Sequence, residues 1–276
     1  MAKDPGWIAR GRGGVGMNGG KPILEVEGLT IRFGGLVAVN DVSFQQAEGE
    51  ILSIIGPNGA GKTSIFNMMT GFYKPTAGDI RFRGRSTLGL PTFAISGLGI
   101  IRTFQKTMVF PKVTVRDGVL MGLHKSSSVG WWDILWNSSR KKKEEAALQE
   151  EADRILEFTG LVEKAYMEAR NLPYGEQRLL EIAVGLAPKP SLMLLDEPAS
   201  GMNAEEAATA LALIRRIRET GITVLLVEHN MRVVMDISDR IVVIDHGEKI
   251  AEGLPEEIQN NAEVIKAYLG EGFQRA

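Results

Sequence analysis

One octapeptide constrains the fold of this chain more than any other stretch. Residues 56–63 read Gly-Pro-Asn-Gly-Ala-Gly-Lys-Thr and match the phosphate-loop pattern G-x-x-x-x-G-K, followed by Ser or Thr, at every fixed position. The apolar residues 51–55 before it predict a buried strand, and residues 63–70 after it predict the start of a helix. A loop between a strand and a helix N-terminus directs several backbone N–H groups at one phosphate. The motif therefore predicts a site for the phosphates of a nucleotide.

The side chains of this loop have separate expected roles. Lys62 has the length and charge to reach the β- and γ-phosphates, and the Thr63 hydroxyl is a ligand for Mg²⁺. A glycine-rich turn that matches the pattern by chance is the alternative, which the flanking strand and helix disfavour. We expect the nucleotide to contact Gly56, Pro57, Asn58, Gly59, Ala60, Gly61, Lys62, Thr63 and Ser64.

The composition excludes several functional classes. A chain of 276 residues, 44% of them hydrophobic, suffices for one large domain or for a domain with an inserted subdomain. The absence of cysteine excludes disulfides, zinc thiolates and thiol catalysis, and it fits a reducing compartment. The formal net charge of −2 gives no argument for nucleic acid as a partner. No apolar run approaches the roughly 20 residues of a membrane helix. Residues 1–21 are rich in glycine and predict a disordered tail rather than a secretory signal.

Two patterns of apolar residues predict two kinds of sheet. Residues 23–33 and 36–46 alternate apolar and polar side chains, as half-exposed antiparallel strands do. Residues 191–195, 223–227 and 240–244 are continuous apolar runs separated by helical patterns. Such runs are typical of a parallel sheet that is covered on both faces.

The middle of the chain, about residues 113–186, has a helical pattern. Leu148, Ala152, Ile155 and Leu156 follow the i, i+4, i+7, i+8 spacing of one apolar helix face. We interpret this region as a helical insertion. The predicted fold class is therefore α/β: a P-loop nucleotide-hydrolase core with a mostly parallel sheet, an antiparallel β subdomain and an inserted helical subdomain.

Four polar residues stand at the ends of predicted strands. Because the carboxyl ends of parallel strands share the ligand edge of a sheet, Asp196 is placed to hold Mg²⁺ and Glu197 to polarise a water for attack on the γ-phosphate. His229 can donate a hydrogen bond to the charge that develops there. Gln105 is a further strand-end group, although an isolated glutamine carries almost no signal. The structural alternatives are an exposed acidic turn for the carboxylates and a packing role for the histidine.

These motifs occur in the order found in the ATP-binding-cassette (ABC) ATPases, which the chain resembles over residues 22–270. Residues 172–176, Leu-Pro-Tyr-Gly-Glu, resemble the signature motif of that family, and residues 200–203 resemble its D-loop. Gln105 resembles the Q-loop glutamine, and His229 resembles the switch histidine. The remaining residues, 271–276, are then a short tail.

The resemblance implies a two-lobed domain that uses ATP and Mg²⁺. In the family, two such domains clamp two ATP molecules head to tail, each between the phosphate loop of one chain and the signature of the other. Gln105 then serves both catalysis and Mg²⁺, beside Thr63 and Asp196. The further nucleotide contacts that it implies are Phe33, stacked on adenine, and Tyr174, Gly175 and Glu176 of the signature.

A finer resemblance concerns the transported substrate. Residues 33–39, 102–105, 174–183 and 267–270 look like the ATPases of branched-chain amino acid importers, some relatives of which carry amides. The partners then implied are a second ATPase subunit (a paralogue or another copy of this chain), integral membrane permeases and, indirectly, an extracytoplasmic binding protein. The implied location is the cytoplasmic face of the inner membrane, with the chain as a peripheral subunit.

Two other classes of cassette ATPase remain as alternatives. One is the ATPase of an exporter, such as a lipopolysaccharide-type system, and the other is a soluble cassette protein. The soluble class usually has two cassettes or a long coiled insertion, and the sequence has neither. The finer motifs favour import over export.

Two positions depart from the usual motifs of the family. Pro173 replaces the signature serine, with loss of a hydroxyl and an N–H, and Asn203 replaces the common D-loop aspartate. These changes suggest that this signature forms the weaker site of an asymmetric pair. The tryptophans at 131, 132 and 136 lie close to the basic residues 140–143. They suit core packing of the helical region, an anionic membrane surface or a groove of a permease.

Overall fold

The computed structural model of the protein describes residues 21–103, 112–124 and 138–273. Apart from Lys21, the predicted N-terminal tail lies outside these residues, as do Gln105 and the tryptophan cluster. The described chain forms two compact units. The α/β unit contains residues 21–102, Ser191–Ala199 and the chain from Ile214 onward, and the helical unit contains the described parts of Thr103–Pro190 and Ser200–Leu213.

The α/β unit contains an antiparallel sheet built from the region where the sequence predicts one. Strands β1 (Leu24–Phe33) and β2 (Leu36–Gln46) pair antiparallel, in agreement with their alternating pattern. Strand β4 (Ala77–Phe82) pairs with the other edge of β1, and β5 (Arg85–Ser86) with β4, giving the order β2-β1-β4-β5. Their inward side chains, such as Leu24 and Val42, are fully buried.

The second sheet of this unit is the predicted parallel one, with strand order β10-β9-β3-β8-β7-β6. All neighbours except β10 and β9 run parallel. Every residue of β3, β7 and β8 is buried, which explains their continuous apolar sequences. The strands are β3 (Ile51–Ile55), β6 (Ile100–Arg102), β7 (Leu192–Asp196), β8 (Thr223–Val227), β9 (Arg240–Asp245) and β10 (Glu248–Gly253).

Helices accompany this sheet. Phe66 and Met69 of the helix after the phosphate loop belong to the same hydrophobic core as both sheets. A second, smaller core holds Ile55, Ile258 and Val264. The helices of the α/β unit are α1 (Lys62–Met69), α2 (Thr92–Gly97), α7 (Met231–Ile237), α8 (Pro255–Gln259) and α9 (Ala262–Phe273).

The helical unit agrees with the predicted insertion. It contains α3 (Val115–His124), α4 (Ser138–Thr159), α5 (Tyr174–Leu186) and the first part of α6 (Ala204–Glu219). The predicted apolar stripe of α4 is buried at Ala152, Ile155 and Leu156. Gly122 of α3 allows a close approach to α5, because a Cβ there would lie 2.9 Å from the Val184 carbonyl oxygen. The predicted α/β fold class is thus confirmed.

Candidate functional site

The phosphate loop lies between β3 and α1, and close packing fixes its backbone. Gly56, Gly59 and Gly61 have φ angles of 153°, 82° and 104°. A Cβ on Gly56 would lie 1.9 Å from the Ile244 carbonyl oxygen, and one on Gly61 would lie 2.6 Å from the Ala38 carbonyl oxygen. Only glycine fits where the loop meets its neighbours this closely.

Lys62 is the buried cation of this loop. Its Nζ donates to the carbonyl oxygens of Gly56, at 2.7 Å, and Pro57, at 2.8 Å. Helix α1 begins at Lys62, and its N-cap is Gly61, which has no side chain to accept the first N–H groups. The side chain of Thr63 is exposed. The loop thus combines a cation, a helix N-terminus and an accessible hydroxyl, as a phosphate site requires.

The carboxylate of Asp196 lies at the C-terminal end of β7 and is almost fully buried. Its Oδ2 accepts a hydrogen bond of 2.7 Å from Arg102 at the end of β6. The Arg102 guanidinium also donates to Asn67 Oδ1, at 2.6 Å, and its carbon lies 5.4 Å from the ring centroid of Phe66. Asp196 Oδ1 is buried and has no hydrogen-bond partner within the described residues.

This unpartnered oxygen is an observation that fits a metal ion. A buried carboxylate oxygen without a donor is costly unless a ligand supplies the missing partner. Oxygen donors such as the Asp196 carboxylate and the Thr63 hydroxyl suit Mg²⁺, which also takes phosphate oxygens as ligands. Among the described residues no cluster of three or more His, Asp or Glu side chains could hold a metal by itself. The donor set therefore suits a metal that arrives with a nucleotide.

Glu197 and His229 approach each other at the same edge of the sheet. Glu197 has a left-handed φ of 48°, and its N–H donates to the Val227 carbonyl oxygen at 2.8 Å. This conformation is uncommon for a residue other than glycine and is typical of functional sites. Glu197 Oε1 lies 3.5 Å from His229 Nδ1. The predicted carboxylate and imidazole are thus neighbours.

A second glutamate, Glu228, holds the backbone on either side of this pair. The buried Glu228 carboxylate accepts hydrogen bonds from the N–H groups of Ala199 (3.1 Å), His229 (3.1 Å) and Asn230 (3.4 Å). Burial raises the pKa of Glu228, while these backbone donors and the nearby imidazole partly oppose the rise. Glu228 therefore anchors the segments on both sides of the Glu197–His229 pair.

Phe33 stands at the end of β1 with its ring partly exposed. It makes an edge-to-face contact with Tyr73, with ring centroids 5.3 Å apart and an interplanar angle of 73°. Tyr73 in turn contacts Phe72, a largely exposed ring, at 5.4 Å. An aromatic surface is therefore available for a base, as the resemblance implies for Phe33.

The residues that resemble the signature lie in the helical unit. Pro173 is the N-cap of α5, so Tyr174, Gly175 and Glu176 form its first turn. Glu176 is ion-paired with Lys164. The first-turn N–H groups of a helix have no intrahelical acceptor and can face an anion. The expected contact of this turn with a nucleotide remains a prediction.

The predicted site residues therefore fall into two groups. The α/β unit holds the phosphate loop, Phe33, Asp196, Glu197 and His229, and the helical unit holds the signature. The polar residues of the first group follow strands β3, β7 and β8, which are parallel neighbours in the sheet. Gln105, the remaining site prediction, lies outside the described residues.

Three residues that contact the predicted site residues were not identified by the sequence interpretation. Arg102 and Asn67 form a hydrogen-bonded chain with the Asp196 carboxylate, and Glu228 anchors the backbone beside His229. The sequence could have indicated Arg102 and Glu228, because each stands at the C-terminal end of a predicted parallel strand, where ligand-binding residues are expected. It could not have indicated Asn67, since only the fold brings helix α1 to Arg102.

A groove of about 630 Å³ borders the phosphate loop. The turn between β9 and β10 is tied to this loop, because the Gly247 N–H donates to the Ala60 carbonyl oxygen at 3.0 Å. Helix α9 and the phosphate loop share the groove, so the C-terminal segment lies beside the nucleotide site. The groove is lined by Pro57, Asn58, Gly59, Ala60, Asp245, His246, Ile250, Glu263, Lys266 and Ala267.

Comparison with known families identifies the family of this chain. The family model described as ABC transporter matches residues 39–200, more than half of the chain. The chain belongs to the ABC transporter family. As an ABC ATPase it binds and hydrolyses ATP, which confirms the family predicted from the ordered motifs. A second model, described as branched-chain amino acid ATP-binding cassette transporter, matches residues 248–274.

Individual relatives of this ABC ATPase cover nearly its whole length. The chain is 46% identical over 252 residues to LivG of Salmonella typhimurium, a high-affinity branched-chain amino acid transport ATP-binding protein. It is also 46% identical over 252 residues to BraF of Pseudomonas aeruginosa, which has the same description. Both alignments cover 91% of this chain and 99% of the relative.

A solved structure agrees with the fold of this ABC ATPase. The ADP conformation of an ATP-binding cassette from an ABC transporter is 29% identical, with a TM-score of 0.80. The similarity covers 91% of this chain and 100% of the other. Within residues 21–103, 112–124 and 138–273, no helix has the length and apolar character needed to span a membrane.

Proposed function

We propose that this ABC ATPase energises the import of branched-chain amino acids or related amides through membrane permeases. One observation supports ATP hydrolysis at this site: the phosphate loop, Asp196, Glu197 and His229 lie at one edge of the parallel sheet. The observation that carries the substrate is the similarity to LivG and BraF, together with the match of the C-terminal segment to the branched-chain model.

Nucleotide binding begins at the phosphate loop. The Lys62 ammonium, which now bonds the carbonyl oxygens of Gly56 and Pro57, turns to the β- and γ-phosphates. The N–H groups at the start of α1 face the same phosphates. The adenine stacks on the exposed ring of Phe33.

Mg²⁺ would be held by the Thr63 hydroxyl, the Asp196 carboxylate and Gln105. When bound with ATP, Mg²⁺ supplies charge neutralisation at the phosphates. The contribution of this chain is to keep the Asp196 carboxylate oriented, through its hydrogen bond with Arg102. The unpartnered Oδ1 of Asp196 is the oxygen that remains available.

Hydrolysis uses Glu197 and His229. The Glu197 carboxylate accepts a proton from the attacking water, and the His229 imidazole donates a hydrogen bond to the γ-phosphate as its charge develops. Their separation of 3.5 Å keeps both groups at one reaction centre. Gln105 helps to position the water and the metal ligands.

The complete site needs a second ATPase subunit. The signature turn of this chain, with Tyr174, Gly175 and Glu176, contacts a nucleotide held by that subunit, a paralogue or another copy of this chain. The pair is joined to integral permeases at the cytoplasmic face of the inner membrane, and an extracytoplasmic binding protein delivers the substrate. Export, the other direction of transport, has no support from the relatives.

Transport by a reconstituted complex tests the proposal. The chain, purified with the membrane proteins that accompany it, is placed in proteoliposomes. ATP is supplied on the side of the membrane where the chain lies, and the extracytoplasmic binding protein and the substrate are supplied on the other side. We expect uptake of labelled leucine, and competition by valine and isoleucine but not by lysine. Glu197→Gln should abolish uptake while ATP stays bound, because the base alone is lost.

The same experiment contains the results that would overturn the proposal. ATP-dependent movement of the label away from the side that holds ATP would indicate an exporter. Leucine uptake that persists with Glu197→Gln at the wild-type rate would remove Glu197 from the mechanism. The matched control is Glu205→Gln, the same change at an exposed position of helix α6.

A further inference from the structure

Two side chains in the helical unit link the signature turn, residues 173–176, to the D-loop, residues 200–203. The first is Tyr174. Its hydroxyl donates to the Ser200 carbonyl oxygen at 3.1 Å and accepts hydrogen bonds of 3.1 and 2.9 Å from the Arg178 guanidinium. The D-loop fits this ring closely, because a Cβ on Gly201 would lie 3.1 Å from Tyr174 Cε1.

Arg178 keeps the Tyr174 hydroxyl oriented toward the D-loop. Arg178 is buried and forms an ion pair of 2.9 Å with Glu181 on the same helix. Because both nitrogens that reach Tyr174 donate, the phenol proton is left to bond the Ser200 carbonyl oxygen. The direction of the Tyr174–Ser200 hydrogen bond is therefore fixed by its surroundings.

The second link is Glu206, in the first turn of α6. Its Oε2 accepts the Asn203 N–H at 3.0 Å, and the Asn203 side chain accepts the N–H groups of Glu205 and Glu206. This reciprocal arrangement is a capping box. The Glu206 carboxylate also packs on Gly175, where a Cβ would lie 2.8–2.9 Å from its atoms.

These contacts explain two residue types. A side chain at Gly175 would displace the Glu206 carboxylate, because a Cβ there would lie 2.8 Å from Glu206 Cδ. Asn203, which replaces the common D-loop aspartate, serves as the N-cap of α6 without bringing another negative charge close to Glu206. Both residue types are therefore related to the close approach of the Asn203–Glu206 capping box to the signature turn.

We propose that Tyr174 and Glu206 are positioning residues that join the signature turn and the D-loop into one body, which moves as a unit when the partner's nucleotide is engaged. The proposal rests on the proposed function in so far as a second ATPase holds that nucleotide. Neither side chain needs to touch the phosphates. Their effect is on the orientation of the Tyr174–Glu176 N–H groups and therefore on the rate of turnover.

Hydrogen exchange on the isolated full chain tests the link without any partner. Tyr174→Phe removes the hydroxyl and keeps the ring, and Glu206→Ala removes the carboxylate. We expect either change to speed the amide exchange of residues 200–203 by about 5- to 20-fold, the effect of one lost hydrogen bond on local opening. Glu205→Ala, the adjacent exposed position, is the matched control and should have no such effect.

Kinetics of the assembled complex test the consequence for function. We expect Tyr174→Phe and Glu206→Ala to lower kcat about 5- to 10-fold and to leave KM for Mg-ATP within about twofold, because the phosphate loop of the chain is untouched. The affinity of the isolated chain for Mg-ATP should equal that of the wild type, which shows that the variants fold.

Either of two results overturns the proposal. One is unchanged exchange of the D-loop amides in both variants, and the other is faster exchange with an unchanged kcat. If the wild-type complex fails to hydrolyse ATP, the proposed function fails, and the exchange experiment alone then decides whether the link exists.

Discussion

Lys62 is the residue whose observed contacts lead to the sharpest prediction. Its ammonium is buried and bonded to two loop carbonyl oxygens. Lys62→Ala should weaken the binding of Mg-ATP by about 2–5 kcal/mol, because a charge-assisted contact with the phosphates is lost. Titration calorimetry on the isolated chain measures this. Lys249→Ala, which removes a lysine paired with Glu252 on β10, is the control, and an unchanged affinity for Lys62→Ala would contradict the phosphate-loop assignment.

Glu228 leads to a prediction about pH. Burial raises its pKa above the ordinary value of 4.5, so the folded chain keeps this proton at pH values where the unfolded chain has released it. The contribution to stability is therefore present below pH 4.5 and is lost as pH rises through the higher, folded pKa. We expect the thermal stability of the wild type, relative to Glu228→Gln, to fall as the pH rises above 4.5.

The comparison with Glu228→Gln isolates this one group. Glu181, whose pKa burial also raises, is present in both proteins and cancels in the difference. A difference that grows with pH would contradict the assignment of a raised pKa to Glu228.

Single residues also show how much of the candidate site the sequence can predict. Asp196, Glu197 and His229 were predicted from their positions at strand ends, because strand direction alone places them at one edge of the sheet. The hydrogen bonds of Arg102 with Asp196 and Asn67 depend on three segments that are distant in sequence. No local pattern specifies such a set, since it exists only when the sheet is assembled.

At the scale of elements, the start of helix α5 carries the next prediction. Pro173 is its N-cap and cannot offer a side-chain hydroxyl. Pro173→Ser would place one where charge develops on a bound γ-phosphate, a contact of about 1–3 kcal/mol with a charged acceptor. We expect a higher ATPase rate at the site that uses this signature. The assay is steady-state hydrolysis by the assembled complex, with one or the other phosphate loop disabled.

The site that uses the partner's signature is the internal control for this prediction. It should keep its rate when Pro173 is replaced in this chain. An equal response at both sites, or none at either, would mean that Pro173 does not cause an asymmetry.

Elements with a strong periodic pattern were predicted well. The run 223–227 coincides with β8, and the run 240–244 ends one residue before β9 does. The run 191–195 is displaced from β7 by one residue at each end. Strands β4, β5 and β10 were not predicted. β4 begins with Ala-Gly-Asp, which has no strand pattern, and it forms because β1 offers an unpaired edge. Pairing partners outside the local sequence decide such strands.

At the scale of the whole molecule, the placement of the proposed catalytic groups leads to an expectation about the isolated chain. The phosphate loop and the Glu197–His229 pair lie in the α/β unit, while the signature belongs to the helical unit and serves another nucleotide in the family geometry. We therefore expect the isolated chain to be largely monomeric and to hydrolyse ATP slowly. Light scattering combined with a phosphate-release assay checks both properties. Full activity from a demonstrated monomer would contradict this expectation.

The groove shared by helix α9 and the phosphate loop offers a position for a probe of nucleotide binding. Ala267 lines this groove together with Asn58 and Gly59, yet it is far from them in sequence and has no assigned part in binding. Because the chain contains no cysteine, Ala267→Cys would introduce its sole thiol. An environment-sensitive dye attached there would report nucleotide arrival and departure optically, in real time, from a position that every catalytic variant of this protein retains.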